Sequence, residues 1–143
     1  MAEPPFLWPH RVTYAECTAG NHVYYARYLD LLEAARGEFL RSLGLSFAEL
    51  QQAGFFFPVL ESHLRHRAAA RYDDLLTIEV WPALVDKVRL NFAYRIRTPD
   101  GKLILEAETR HVCANLDERP KRLPEALVAR LAPRVPAETP PTA

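Results

Sequence analysis

Helical periodicity occupies one long stretch of this chain, and almost everything after it alternates. Tyr28, Leu31, Leu32, Ala35, Phe39 and Leu43 recur at the spacing of a single helix face, and Gly44 follows as a C-terminal stop. From Gly54 onward the period is two. Leu76, Ile78 and Val80 alternate with Thr77, Glu79 and Trp81, and Val88, Leu90, Phe92, Tyr94 and Ile96 alternate with Lys87, Arg89, Asn91, Ala93 and Arg95. Thr98-Pro99-Asp100-Gly101 is a hairpin signal, because Asp-Gly accepts the positive φ angles of tight turns. A lone long helix beside hairpin-linked strands must bury its apolar stripe on one sheet face, which is an α+β layout. The other sheet face carries enough aromatic and aliphatic side chains to predict a partner subunit against it.

The remaining elements fit around this frame. His10 to Ala15 reads as a first strand, Phe57 to Ala68 as a less clean one, and Leu103, Leu105 and Ala107 open another that reaches towards Cys113. Ser46 with Glu49 three residues on forms a capping box for a short helix over Phe47 to Gly54. Pro124 to Leu131 reads as a terminal helix with Pro124 in its first turn. Residues 1–9 hold three prolines and read as an irregular arm, residues 132–143 as a Pro-rich flexible tail, and residues 10–131 as one domain.

Charge narrows the function classes. Eighteen basic and eighteen acidic residues cancel, so no overall field favours nucleic acid or a membrane surface. Cys17 and Cys113 make no disulfide framework, and no apolar run approaches the ~20 residues of a membrane span. The start of the chain lacks a basic-then-apolar signal pattern, so a cytoplasmic protein with reduced thiols is expected.

Tyr14 to Gly44 carries the chemistry. There a small-residue turn, Thr18-Ala19-Gly20-Asn21, leads into the long helix beside Glu16, Cys17 and His22. Helix N-termini present unpaired N–H donors and partial positive charge, and the small turn lets a ligand approach that backbone closely.

In order and spacing, four segments resemble the hotdog-fold thioesterases, in the branch of 4-hydroxybenzoyl-CoA thioesterase and the Tol-Pal-associated acyl-CoA thioesterases. They are RVTYAECTAGNHVYYARYLDLLEAAR (from Arg11), RYDDLLTIE (Arg71 to Glu79), TPDGKL (from Thr98) and KRLP (Lys121 to Pro124). The resemblance implies a five-stranded antiparallel sheet wrapped around one long helix, homodimers and homotetramers, and active sites at the dimer interface. It also implies an acyl-CoA or acyl-carrier-protein substrate, with the thioester carbonyl at the start of the helix. No metal or cofactor is implied, coenzyme A being part of the substrate.

One departure matters. The family's usual aspartate, nucleophile or general base, is replaced here by Thr18, whose neutral hydroxyl cannot take either role without a base to activate it. Glu16, His22, Tyr25 (through its backbone N–H) and Arg36 are the groups the resemblance places to compensate. The Tyr24-Tyr25 pair, with Glu16 and a neutral residue at position 18, is similar to the enediyne-polyketide hotdog thioesterases. The resemblance further implies that Gly20, Asn21 and Tyr24 line the approach, that Glu61 and Ser62 face a partner's site, and that Lys87, Arg89 and Lys121, beside Arg122, match or lie beside basic positions for CoA phosphates. Glu33 and Arg36, three apart on the helix, also read as a buried ion pair. His63, His66 and His111 have no ligand partners at metal spacing.

Two functions compete: a thioester hydrolase, and a non-catalytic acyl-thioester or CoA-binding protein that has lost the catalytic carboxylate. A hydroxyacyl-thioester dehydratase is a third, but the motif of those hotdog enzymes is missing.

Overall fold

The computed structural model describes residues 3–137. Five strands form one antiparallel sheet: β1 (Phe6–Arg11), β2 (Val59–His66), β3 (Leu75–Asp86), β4 (Arg89–Arg97) and β5 (Leu103–Val112), in the order β1-β3-β4-β5-β2. The long helix α1 (Arg27–Ser42) packs on one face of the sheet, against β3 and β1; α2 (Phe47–Gln52) and α3 (Glu125–Leu131) are short. This is the hotdog fold.

Period-two alternation sets the inner face. Leu76, Ile78 and Val80 of β3, Leu90, Phe92, Tyr94 and Ile96 of β4, and Leu105 and Ala107 of β5 are all buried. Against them α1 buries Tyr28, Leu31, Leu32, Ala35, Phe39 and Leu40. The helix stops at the predicted place. Gly44 has φ +74°, its N–H bonds the Arg41 carbonyl, and the Leu45 N–H reaches back to the Leu40 carbonyl at 2.9 Å. Ser46 caps α2, its hydroxyl accepting from the Glu49 N–H at 3.2 Å.

Three expectations need correction. The first strand lies in the supposed arm, beginning at Phe6 and ending at Arg11. Pro9 is tolerated because β1 is an edge strand, where a missing N–H breaks no ladder on its open side. The chain after Ala132 is likewise structured where described: Ala132–Arg134 forms a 3-10 turn, and Arg134 pairs with Glu3 at 2.7 Å; residues 138–143 of the proposed tail lie outside the described residues. The outward sheet face is mostly charged rather than apolar. Glu79, Arg95, Glu106 and Arg65 stand opposite one another across β3, β4, β5 and β2, and Arg95 lies 5.0 Å from the centre of the Trp81 ring.

Candidate active site

Between β1 and α1 the chain folds into a knot of short contacts. Cys17 and Val23 form an antiparallel bridge, the Thr18 N–H donates to the His22 carbonyl at 2.9 Å and the Asn21 N–H to the Thr18 carbonyl at 3.0 Å. Asn21 makes the reversal with φ 58°, a left-handed conformation that asparagine tolerates better than most residues. Both of its oxygens are then used: the side-chain oxygen accepts the Tyr72 N–H at 3.4 Å and the carbonyl accepts Arg71 Nη1 at 3.2 Å. The RYDD segment thus clamps the turn, and Asn21 serves that clamp. It also borders a recess of about 380 Å³ between Tyr14 and Tyr72.

Gly20 is small for a reason. A Cβ there would lie 3.3 Å from His22 Nε2 and 3.8 Å from Thr18 Oγ1, so the missing side chain leaves room for the His22 ring over the turn. The Gly20 N–H bonds Thr18 Oγ1 at 3.3 Å.

The helix starts later than the turn. Tyr24 and Tyr25 lie in an intervening turn, and Ala26 is the N-cap of α1. The Tyr24 N–H donates to the Glu16 carbonyl at 2.9 Å, so it is not one of the free donors at this helix start. Arg27, Tyr28 and Leu29 donate to the carbonyls of Tyr24, Tyr25 and Ala26. From Tyr24 to Leu29, the amides of Tyr25 and Ala26 are the two with no acceptor among the described residues. They sit at the positive end of the α1 dipole.

A cavity of about 510 Å³ opens here, lined by Thr18, His22, Tyr24, Tyr25 and Tyr28 on one side and by His66 and residues 67–69 on the other. Its size is that of a small-ligand site. The two walls are joined by the Val23 N–H to Ala70 carbonyl bond at 2.8 Å. Tyr28 is buried at the base; burial pushes its hydroxyl pKa up, against the pull of a backbone hydrogen bond from Ala70. None of the lining residues is a carboxylate. His66, Tyr28 and Arg67 were not among the sequence candidates. His66 falls at the end of a ragged alternation, where nothing in the sequence alone places it opposite His22.

The other candidates divide. Glu16 does not line the cavity. Its carboxylate accepts His10 Nε2 at 2.9 Å and the Thr13 N–H at 2.7 Å, so it braces the turn. Burial raises its pKa, but the Thr13 amide and hydroxyl and the His10 ring outweigh burial and hold it below the ordinary value. Arg36 is also remote from the cavity and does not pair with Glu33, which is exposed. Arg36 Nη1 instead donates to the Tyr94 hydroxyl at 2.9 Å, which meets Thr109 Oγ1 at 2.6 Å. Thr109 in turn meets His111 Nε2 at 2.9 Å, and His111 Nδ1 contacts the Phe57 carbonyl at 3.1 Å. Burial, and next the Arg36 charge, lower the His111 pKa to about 4.

Glu61 is exposed on β2, paired with His63 at 3.2 Å and Arg110 at 3.3 Å; Ser62 borders a separate polar hollow with His63, Arg65 and Arg110. Neither reaches this chain's own cavity. Arg89 stands opposite Val112, whereas His66 stands opposite Leu105. At ~3.3 Å per residue, Lys87 and Arg89 are therefore roughly 20 Å along the sheet from the cavity wall. Lys121 is committed elsewhere, its Nζ 3.9 Å above the Phe55 ring and 3.4 Å from the Gly54 carbonyl.

Residues 12–131 match the family model described as the thioesterase-like superfamily. The chain belongs to this family. As a member it is a thioester hydrolase. The acyl-CoA thioester hydrolase YbgC of Escherichia coli O6:H1 is 36% identical over 125 residues, covering 87% of this chain and 93% of that one. A hypothetical protein of Thermus thermophilus has a crystal structure that superposes with a TM-score of 0.83 at 35% identity, over 91% of this chain and 98% of that one. A Staphylococcus aureus protein solved in complex with CoA shares the fold, with a TM-score of 0.88 at 23% identity over 99% of this chain and 92% of that one. Among the described residues no helix is long and apolar enough to cross a membrane, and both cysteines are free.

Proposed function

We propose that this thioester hydrolase acts on acyl-CoA or acyl-carrier-protein thioesters, bound with their carbonyl in the 510 Å³ cavity at the start of α1. Water attacks the carbonyl carbon, and the electron pair of the C=O bond moves to oxygen. The amides of Tyr25 and Ala26 hold that oxyanion; one such donor is typically worth ~2.7–4 kcal/mol of barrier. Collapse re-forms the C=O, breaks the C–S bond and releases the thiol and the acid. The Thr18 hydroxyl and the His22 ring orient the water. The carrying observation is the pair of unpartnered main-chain N–H groups next to a cavity with Tyr25 in its wall.

Homodimers, and tetramers built from them, are part of the same proposal. β2 is an edge strand with Val59 and Leu60 more than half exposed, at 52% and 55%. A second chain against it would bring its Glu61 and Ser62 towards this cavity. Lys87 and Arg89 lie too far for the thioester but within reach of the phosphate end of an extended CoA. A cytoplasmic setting agrees with two reduced thiols.

The absence of any carboxylate in the cavity wall favours one rival, a protein that binds acyl thioesters without turning them over. A panel of short, long and aromatic acyl-CoAs, assayed by thiol release with wild type and Ala69→Trp, decides between them. Ala69 is an exposed residue of the cavity wall, so its enlargement fills the space without disturbing the core. Turnover abolished by Ala69→Trp is expected. Tight binding with no wild-type turnover would establish the rival.

A further inference from the structure

Five histidines are present, and four have hydrogen-bond partners in the fold. His10 meets Glu16, His63 meets Glu61, His111 meets Thr109 and Phe57, and His22 Nδ1 lies 3.5 Å from the Val23 carbonyl. His66 is the exception: it has no hydrogen-bond partner among the described residues. Its ring is nevertheless held, packed against buried Tyr28 with centroids 5.6 Å apart at 57°. It is exposed, and it lines the cavity opposite Thr18 and His22. An exposed side chain held by its ring face, with neither nitrogen hydrogen-bonded within the fold, suits proton transfer in a carboxylate-free site.

We propose that His66 is a catalytic residue, the base that takes a proton from the attacking water and returns it to the departing sulfur. This rests on the reading that the thioester binds in this cavity. The balance is complete without a co-reactant. Water's O–H bond breaks as its oxygen bonds the carbonyl carbon, and the proton passes to an imidazole nitrogen of His66. On collapse the C–S bonding pair leaves with sulfur, which takes the proton from the imidazolium. Carboxylic acid and thiol result, and His66 is neutral again.

The groups that face His66 are Tyr28 from α1, His22, Tyr24 and Tyr25 from the turn before α1, and Arg67 from its own strand end. Arg67 is turned to Glu106 of β5, at 2.9 Å. No carboxylate in the cavity wall competes for the role.

The test compares wild type with His66→Gln, His66→Phe, His22→Ala and Ala69→Trp in acyl-CoA hydrolysis, together with binding of a thioether analogue of the same acyl-CoA. His66→Phe keeps an aromatic ring for Tyr28, so its thermal stability controls for packing. Both His66 variants should lose roughly 10²–10⁴-fold in kcat while KM and analogue affinity hold within about threefold. The acid limb of the kcat profile should vanish, and added imidazole should restore part of the rate. Retention of kcat within about threefold in either His66 variant overturns the assignment; so does a lost rate with an unchanged acid limb and no imidazole rescue. If Ala69→Trp abolishes turnover while the His66 variants keep it, the cavity reading stands and His66 alone is refuted. If Ala69→Trp leaves turnover intact, both fall; if wild type binds the analogue but hydrolyses none of the panel, His66 as base is refuted and the non-catalytic binding protein stands.

Discussion

Replacing Tyr94 with Phe separates a structural Arg36 from a catalytic one. Tyr94 is 1% exposed and Thr109 3% exposed, so water cannot take over what the phenol does. Removing the hydroxyl deletes the bond from Arg36 at 2.9 Å and the bond to Thr109 at 2.6 Å. A hydrogen bond to a charged group contributes ~1.5–3 kcal/mol and a neutral one ~1 kcal/mol. Two compensations reduce the loss: Arg36 is only half-buried and can reach solvent, and Thr109 keeps His111 Nε2 at 2.9 Å. A net cost of about 2 kcal/mol follows, and for a chain of this length that lowers Tm by roughly 6–8 °C. Scanning calorimetry and urea unfolding measure it, and kcat should not change, because neither Tyr94 nor Arg36 lines the cavity. A Tm within about 1 °C of wild type would refute the buried-network argument. A kcat loss of about tenfold or more at unchanged stability would return Arg36 to the active site.

Gly20→Ala should fold normally, since the new Cβ meets the ring of exposed His22 at 3.3 Å and Thr18 Oγ1 at an ordinary 3.8 Å. It should lower kcat by displacing that ring from Thr18, and equal kcat would show that His22's place over the turn is unimportant. His111 predicts an acid weakness. Its folded pKa of about 4 lies below the unfolded value, so only the unfolded chain takes up this proton as pH falls below ~6.5. The stability it contributes is complete above that pH and is lost on the way down to about 4. From pH 7 to ~4.5 this amounts to about 2 kcal/mol; urea unfolding of His111→Gln at the two pH values should show a correspondingly shallower fall.

Elements with a clean period were legible before any coordinates. The α1 stripe from Tyr28 to Leu43, the inward residues of β3 and β4, and the Gly44 stop all follow from local stereochemistry and alternation. β1 was not legible, because three prolines argue against a strand unless the strand is known to lie at an edge. That is a fact of topology. The Glu33–Arg36 pair failed for a similar reason: three-residue spacing makes neighbours on an isolated helix, while the buried Tyr94 hydroxyl offered Arg36 a drier acceptor. The resemblance pointed to the turn before α1, beside which the structure opens a cavity, while the Glu16 carboxylate is taken by His10 and the Thr13 amide and the Tyr24 amide by the Glu16 carbonyl. His66 was invisible because its partner wall, 44 residues earlier at His22, meets it only through the tertiary fold.

The order of the strands also bears on when the cavity can exist during synthesis. Among the described residues β2 bonds to no strand but β5, and β2 leads into the wall that begins at His66. A nascent chain still short of Leu103 can assemble α1 with β1, β3 and β4, and its second wall is then held at its end, by the Val23 N–H to Ala70 carbonyl bond and the His66 ring against Tyr28, but not along β2. The cavity between the two walls would thus be completed only when the last strand is in place.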